Sequence, residues 1–348
     1  MTSIATLFGT QLPIVQAPMA GSQGSALAIA VCQAGALGSL PAAMLSLDVL
    51  RDELGRIQAQ TDTPFNVNFF CHTPPLPDAA RDQTWRAALQ PYYDEAGLDS
   101  AAVPAGPGRA PFSLEAAALL EVFRPAVVSF HFGLPSDDLL ARVRGWGGKV
   151  VSSATTVDEA VWLASRGVDA VIAQGLEAGG HRGMFLTQDI STQVGSFALL
   201  PQIVRAVNVP VIAAGGIVDA RGVAAAMALG AAGVQAGTAY LCCPESSTSA
   251  VYRAALQSPQ ARHTALTRVF SGAPARGIVN RVMRELGAMS DAAPAFPLAT
   301  ARMAPLRAHA EARGSGDFSP LWSGQNASAC RAVPAAEVTR ELAAGLPR

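Results

Sequence analysis

Along the chain, short apolar runs recur, each followed by a Gly- or Ser-containing turn and most then by an Ala-rich stretch with helical spacing. That alternation predicts parallel strands joined by helical crossovers. The runs are "PIVQAPM" (13–19), "ALGSLP" (36–41), "FNVNFF" (65–70), "VVSFHF" (127–132), "KVVSSAT" (149–155), "AVIAQG" (170–175), "PVIAAGG" (210–216) and "GVQAGTAY" (233–240). Eight such units predict an α/β fold of the (β/α)8, TIM-barrel type.

Two stretches depart from the alternation. Residues of about 72–126 form an insertion whose Pro- and Gly-rich piece "VPAGPGRAP" separates two helical stretches, expected as an elaborated loop over one barrel face. After Tyr240, "ESSTSAVYRAALQ" has helical spacing, "TRVFSGAPARGIVNRVM" reads as extended then helical, and "APAFPLATARMAP" reads as irregular. The expected organisation is a barrel over 1–240, a smaller, mainly helical lid or substrate domain over 241–320, and a return to the barrel over 321–348. That return ends in the helix "AAEVTRELAAG". No repeat with the period of a solenoid is visible.

Composition narrows the class. The 348 residues are 50% hydrophobic and 15% charged, enough apolar material for a large core and too little charge for a long disordered tail. With 25 Lys+Arg against 26 Asp+Glu and no basic run, neither nucleic acid nor an anionic membrane is expected as a partner. Cys32, Cys71, Cys242, Cys243 and Cys330 are odd in number, lack CxxC spacing and include an adjacent pair, so reduced thiols in a cytoplasmic enzyme are expected. Neither a signal peptide nor a membrane-spanning run is expected.

In such a barrel, chemistry gathers at the C-terminal ends of the strands, and phosphate commonly sits after strands seven and eight. "AAGGI" puts Gly215 and Gly216 after the seventh run, and "QAGTAY" puts Gly237 and Thr238 after the eighth. Together they suggest a phosphate cradle of bare backbone N–H groups, although glycines also make tight turns after strands. Asn66, Asn68, Gln174 and Gln235 are amides inside apolar strands and need partners. A flat heterocycle with alternating donors and acceptors would supply them, and flavin mononucleotide, FMN, joins such a ring to one terminal phosphate; an internal hydrogen-bond network is the other solution.

After the sixth run comes "QGLEAGGHRG". Gly179 and Gly180 allow close backbone approach to a ligand, and His181 then faces it, with an ordinary pKa suited to proton abstraction near neutrality. His181 is therefore the candidate catalytic residue. Arg182 either holds an anionic substrate or pairs with Glu177. His131, in "SFHFG", is the rival base and a candidate contact for flavin or substrate. No paired carboxylates or Cys/His ligand spacing predicts a metal, and no GxSxG, GxxxxGK[ST] or strand-following GxGxxG motif is present.

Taken together, "PIVQAPMAGSQGSALAIAVCQAGALGSL", "FNVNFF", "VIAQGLEAGGHRG", "PVIAAGGIVDARGVAAAMALGAAGVQAGTAYL", "SGAPARGIVN" and the later "SGQNA" resemble the nitronate monooxygenases. The resemblance implies a TIM barrel with non-covalent FMN that oxidises alkyl nitronates with molecular oxygen to a carbonyl compound and nitrite, with propionate 3-nitronate as the candidate substrate. It implies FMN contacts at Ala17, Met19, Asn68, Gln174, Gly179, Gly216, Gln235, Gly237 and Thr238, and a catalytic role for His181. FMN-dependent enoyl-acyl-carrier-protein reductases and NADH:quinone reductases share the scaffold and the Gly-Gly-His. An NAD(P)H-dependent FMN reductase of quinone or enoyl-thioester type is accordingly the alternative, and a non-enzymatic ligand-binding barrel a third. Oligomeric state is not legible.

Overall fold

The structure, a computed structural model, describes residues 3–76, 78–101 and 109–347. In chain order its strands are β1 (Ile14–Gln16), β2 (Gly38–Pro41), β3 (Phe65–Phe70), β4 (Val127–His131), β5 (Lys149–Ala154), β6 (Ala170–Gln174), β7 (Gly180–His181), β8 (Val211–Ala214), β9 (Gly233–Ala236), β10 (Thr264–Thr267) and β11 (Ala275–Ile278). Eight of them form one parallel sheet in the order β1-β9-β8-β6-β5-β4-β3-β2. A parallel bridge between Val15 and Leu37 brings β1 back to the start of β2. Leu37 N donates to the Ile14 carbonyl and Gln16 N to the Leu37 carbonyl, both at 2.9 Å, so the sheet curls into a barrel.

Helices α1 (Ile4–Phe8), α2 (Ser25–Gln33), α3 (Leu47–Gln60), α4 (Ala79–Ala96), α5 (Leu114–Phe123), α6 (Asp137–Gly145), α7 (Val157–Ser165), α8 (Ser196–Ala206) and α9 (Ala220–Ala228) lie within the barrel half. Many begin at a side-chain oxygen, for example Ser46, Ser113, Thr156 and Asp219, which accept from backbone N–H groups of the first turn. Ile4 and Phe8 of α1 join Val15, Val127, Val151 and Ile212 in a cluster that fills the N-terminal end of the barrel. Close packing of α2 on β2 requires Gly38, where a Cβ would lie 2.1 Å from the Ala28 carbonyl oxygen. The ring of helices buries a larger core against the barrel, including Leu27, Leu50, Val67, Leu120, Val171 and Val234. With one end filled and the flanks covered, the C-terminal mouth is left for a site.

The insertion divides between two cores, which a single elaborated loop does not describe. Helix α5 packs Ala117 and Leu120 into the main core, as an ordinary crossover would. Helix α4 joins the segment after β9, which carries α10 (Ala250–Leu256), α11 (Arg281–Leu286) and α12 (Ala299–Glu311). Trp85, Leu89 and Tyr93 of α4 pack with Phe270, Met303 and Leu306 in a second core. Trp85 Nε1 donates to the Ala299 carbonyl at 3.3 Å and the Tyr93 hydroxyl to the Arg302 carbonyl at 2.6 Å. Of "VPAGPGRAP", residues 103–108 lie outside the described residues. The stretch "APAFPLATARMAP" is irregular only up to Leu298; α12 begins at Ala299 and accommodates Pro305, because burial of Met303 and Leu306 outweighs the proline penalty. A final helix, α13 (Ala335–Ala343), packs on α2 and α9. Among the described residues no helix is long and apolar enough to cross a membrane.

Candidate active site at the barrel mouth

One large cavity opens at the C-terminal strand ends, with about 1200 Å³ of unfilled space including its mouth. Its wall brings together Ala17 and Met19 after β1, Asn68 on β3, His131 at the end of β4, and Gln174 at the end of β6. Gly179, Gly180 and His181 follow, then Gly215 and Gly216 after β8, Gln235 on β9, and Gly237 and Thr238 after it. Residues more than 200 positions apart thus share one concave surface.

The glycine loops have the geometry of a cradle. Gly215 and Gly216 take φ of 118° and 72°, values that L side chains rarely adopt. A Cβ on Gly237 would stand 3.2 Å from Ala17 Cβ, on the cavity wall. A strap containing "SGQNA" closes the rim: Gly324 N donates to Thr238 Oγ1 at 3.0 Å, and Gln325 N to the Glu177 carbonyl at 2.9 Å. Gly179 is needed there, since a Cβ would meet Gly324 N at 2.5 Å.

Three of the four strand amides donate to the protein itself. Asn66 Nδ2 donates to the hydroxyls of Ser39 and Ser129, and Asn66 is absent from the wall of the large cavity. Gln174 donates to the His181 carbonyl at 2.9 Å and accepts from Gly183 N at 2.8 Å, so it clamps the loop that carries His181. Asn68 Nδ2 is held by Ser129. The Oε1 of Gln235 and the Oδ1 of Asn66 are both buried with no hydrogen-bond partner among the described residues, an arrangement that costs roughly 1–3 kcal/mol each, and of the two Gln235 is the one on the cavity wall.

His181 sits on β7, which pairs antiparallel with β11, placing His181 opposite Ala275. The hairpin of β10 and β11 therefore ties this residue to the segment after the barrel. Its Nε2 lies 2.8 Å from the Ser271 hydroxyl. Phe70, Phe132, Phe296 and Trp322 surround the imidazole, with ring centroids 5.2 to 6.1 Å away. Burial, and then the charges of Arg109, His131 and His72, push its pKa well below the ordinary histidine value. The ring is neutral at pH 7.

His131 reaches the cavity wall with both ring nitrogens engaged. Nε2 donates to the His181 carbonyl at 3.1 Å, and Nδ1 accepts from the Ser153 hydroxyl at 3.1 Å. Burial pushes its pKa down to about 4. Its Nε2 holds the main chain at His181, and both of its ring nitrogens have protein partners. Arg182 corrects the sequence expectation outright: it neither reaches the cavity nor pairs with Glu177. Arg182 is 1% exposed, and its guanidinium donates to the carbonyls of Gln174 and Gly175 and to Gln193 Oε1. Glu177 instead accepts from Ser196 N and Oγ at the start of α8. An arginine in a buried loop with three unpaired oxygens around it satisfies them before it can serve a ligand.

Sequence reasoning missed Phe70, Tyr252 and Trp322 on the wall, and Ser271 at the imidazole. Ser271 lay in "SGAPARGIVN" and Phe70 in "FNVNFF"; Tyr252 and Trp322 carried no local signal. No group of three or more His, Cys, Asp or Glu among the described residues is arranged for a metal.

Barrel, glycine loops, orphaned amide and buried imidazole define a cofactor- and substrate-sized site of an enzyme acting at a TIM-barrel mouth. The model of the nitronate monooxygenase family matches residues 2–345, and the chain belongs to that family of oxidoreductases. It is 43% identical to a nitronate monooxygenase of Paraburkholderia phytofirmans, over 98% of this chain and 93% of the relative. Among solved structures it is similar to nitroalkane oxidase from Streptomyces ansochromogenes, with a TM-score of 0.89 and 38% identity over 98% of this chain and 96% of that one. FabK from Thermotoga maritima is more distant, with a TM-score of 0.73 and 27% identity over 98% and 95% of the two chains.

Proposed function

We propose that the enzyme oxidises small alkyl nitronates with molecular oxygen to a carbonyl compound and nitrite, using non-covalent FMN, with propionate 3-nitronate as the leading substrate. The observation that carries this reading is the convergence of His181, the orphaned Gln235 oxygen and the Gly215–Gly216 loop on one cavity. The residues fit the cofactor. Backbone N–H groups at Gly215, Gly216 and Gly237, with Thr238, would hold the phosphate, while Gln235 and Asn68 offer polar atoms to the ring. Bound there, FMN would supply the electron-accepting ring.

The protein's own contribution is binding, orientation and proton control. His181 enters as a neutral imidazole, with a nitrogen able to share or accept a proton at the substrate carbon. Its lowered pKa makes it a weak base toward a neutral nitroalkane. A preformed nitronate needs no carbon proton removed, so a weak base at this position favours the nitronate form as substrate. Phe70, Phe132, Phe296 and Trp322 keep water from the reacting carbon. The segment 241–320, with α4, would act as the lid that selects substrate. Five free thiols fit a reducing compartment such as the cytoplasm.

Nitrite release with oxygen consumption on small nitronates tests the proposal. No nitrite from any of them, together with rapid flavin reduction by NADH or NADPH, would transfer the assignment to the reductases that the FabK likeness represents.

A further inference from the structure

The insertion brings a cation to the far side of the His181 cage. Arg109, from the insertion, stands over Phe296 with its guanidinium carbon 5.6 Å from the ring centroid, and Phe296 in turn lies 5.2 Å from the His181 ring. Nη1 donates to the Thr300 hydroxyl at 2.9 Å, a neutral acceptor. No described carboxylate forms an ion pair with Arg109, and the adjoining residues 102–108, "AVPAGPG", contain none. Beside it, both ring nitrogens of His72 are buried without a hydrogen-bond partner, and its ring meets Phe296 edge-on at 4.8 Å.

A largely desolvated guanidinium with no counter-ion among the described residues is costly. Burial holds His131 and His72 below the ordinary histidine pKa, so Arg109 is the charged member of the three near neutrality, and an anion brought by a ligand would offset it. One aromatic ring, that of Phe296, separates Arg109 from the imidazole. A planar fork of donors matches a carboxylate.

We propose that Arg109 is a specificity-determining residue which selects nitronates carrying a second anionic group, taking a substrate carboxylate on the lid side of His181. This rests on the nitronate-oxidising assignment for the nature of the reacting group, though not for the anion contact itself.

The test compares the flavin-loaded wild type with Arg109→Gln and Arg109→Lys. kcat and KM are measured for propionate 3-nitronate and for ethyl nitronate, which lacks the carboxylate. Propionate binding is followed separately by ligand-observed NMR. Arg109→Gln is expected to raise KM for propionate 3-nitronate about tenfold or more with kcat little changed, to move ethyl nitronate much less, and to abolish propionate binding. Arg109→Lys is expected to recover part of each loss. Equal losses on the two nitronates, or equal propionate signals in wild type and Arg109→Gln, would overturn the proposal. Should the wild type oxidise neither nitronate, the proposed reaction fails, while the propionate comparison still decides the role of Arg109.

Discussion

His131 Nε2 donates to the main-chain carbonyl of His181 across 3.1 Å, so the second histidine of the site holds the backbone of the first. The bond fixes the His131 tautomer, because a carbonyl can only accept. It also explains why the two histidines of the site take different work: one has its ring turned to the cavity and cage, the other spends its ring on the scaffold.

That burial predicts a pH dependence of stability. His131 titrates near 4 in the folded chain and near 6.5 when unfolded. Above the unfolded value neither state is protonated and the group contributes nothing. As pH falls from about 6.5 to 4 the unfolded state takes up the proton first, and stability drops by about 3 kcal/mol. His181 and His72, lowered in the same direction, add to the slope. Denaturant unfolding at pH 7.5 and 4.5 should show a smaller difference for His131→Gln, which keeps a donor and cannot titrate. An unchanged difference would contradict the assignment.

His181→Asn is expected to retain flavin and lose turnover. With neutral nitroalkanes, where a carbon proton must be removed, the loss should be about 100-fold or more. With preformed nitronates it should be smaller, since no proton is taken. Equal losses on the two substrate forms would remove the proton-accepting role.

Arg182→Lys separates scaffold from substrate contact. One ammonium cannot reproduce the guanidinium's bonds to Gln174, Gly175 and Gln193, so stability should fall by about 1–3 kcal/mol. KM for nitronates should change little. A tenfold rise in KM with stability intact would return Arg182 to the substrate.

Gln235→Leu should act with opposite signs on protein and holoprotein. Removing the unpartnered Oε1 leaves the flavin-free protein as stable as before or more so, whereas flavin affinity should fall about tenfold. Thermal melts of both forms and a flavin titration check this. Undiminished affinity would place the ring elsewhere.

The barrel was legible because fully buried strands write themselves as apolar runs, and β3, with all of "FNVNFF" buried, is the plainest case. The glycine loops and His181 were legible because strand ends are local features. The direction of Arg182 was not, since it depends on Gln193, eleven residues on, and on carbonyls that only the folded loop presents. Nor was the division of the insertion, where Trp85 of α4 finds the Ala299 carbonyl 214 positions away. Arg109 escaped notice for the same reason: its meaning lies in Phe296 and Thr300, far along the chain.

The most direct test of the central claim is the visible spectrum of the purified protein without oxygen, before and after addition of propionate 3-nitronate. The account predicts an oxidised-flavin band that is diminished by the nitronate and restored, with nitrite release, when oxygen is admitted. A flavin band indifferent to the nitronate, or no flavin bound after reconstitution with FMN, would contradict it.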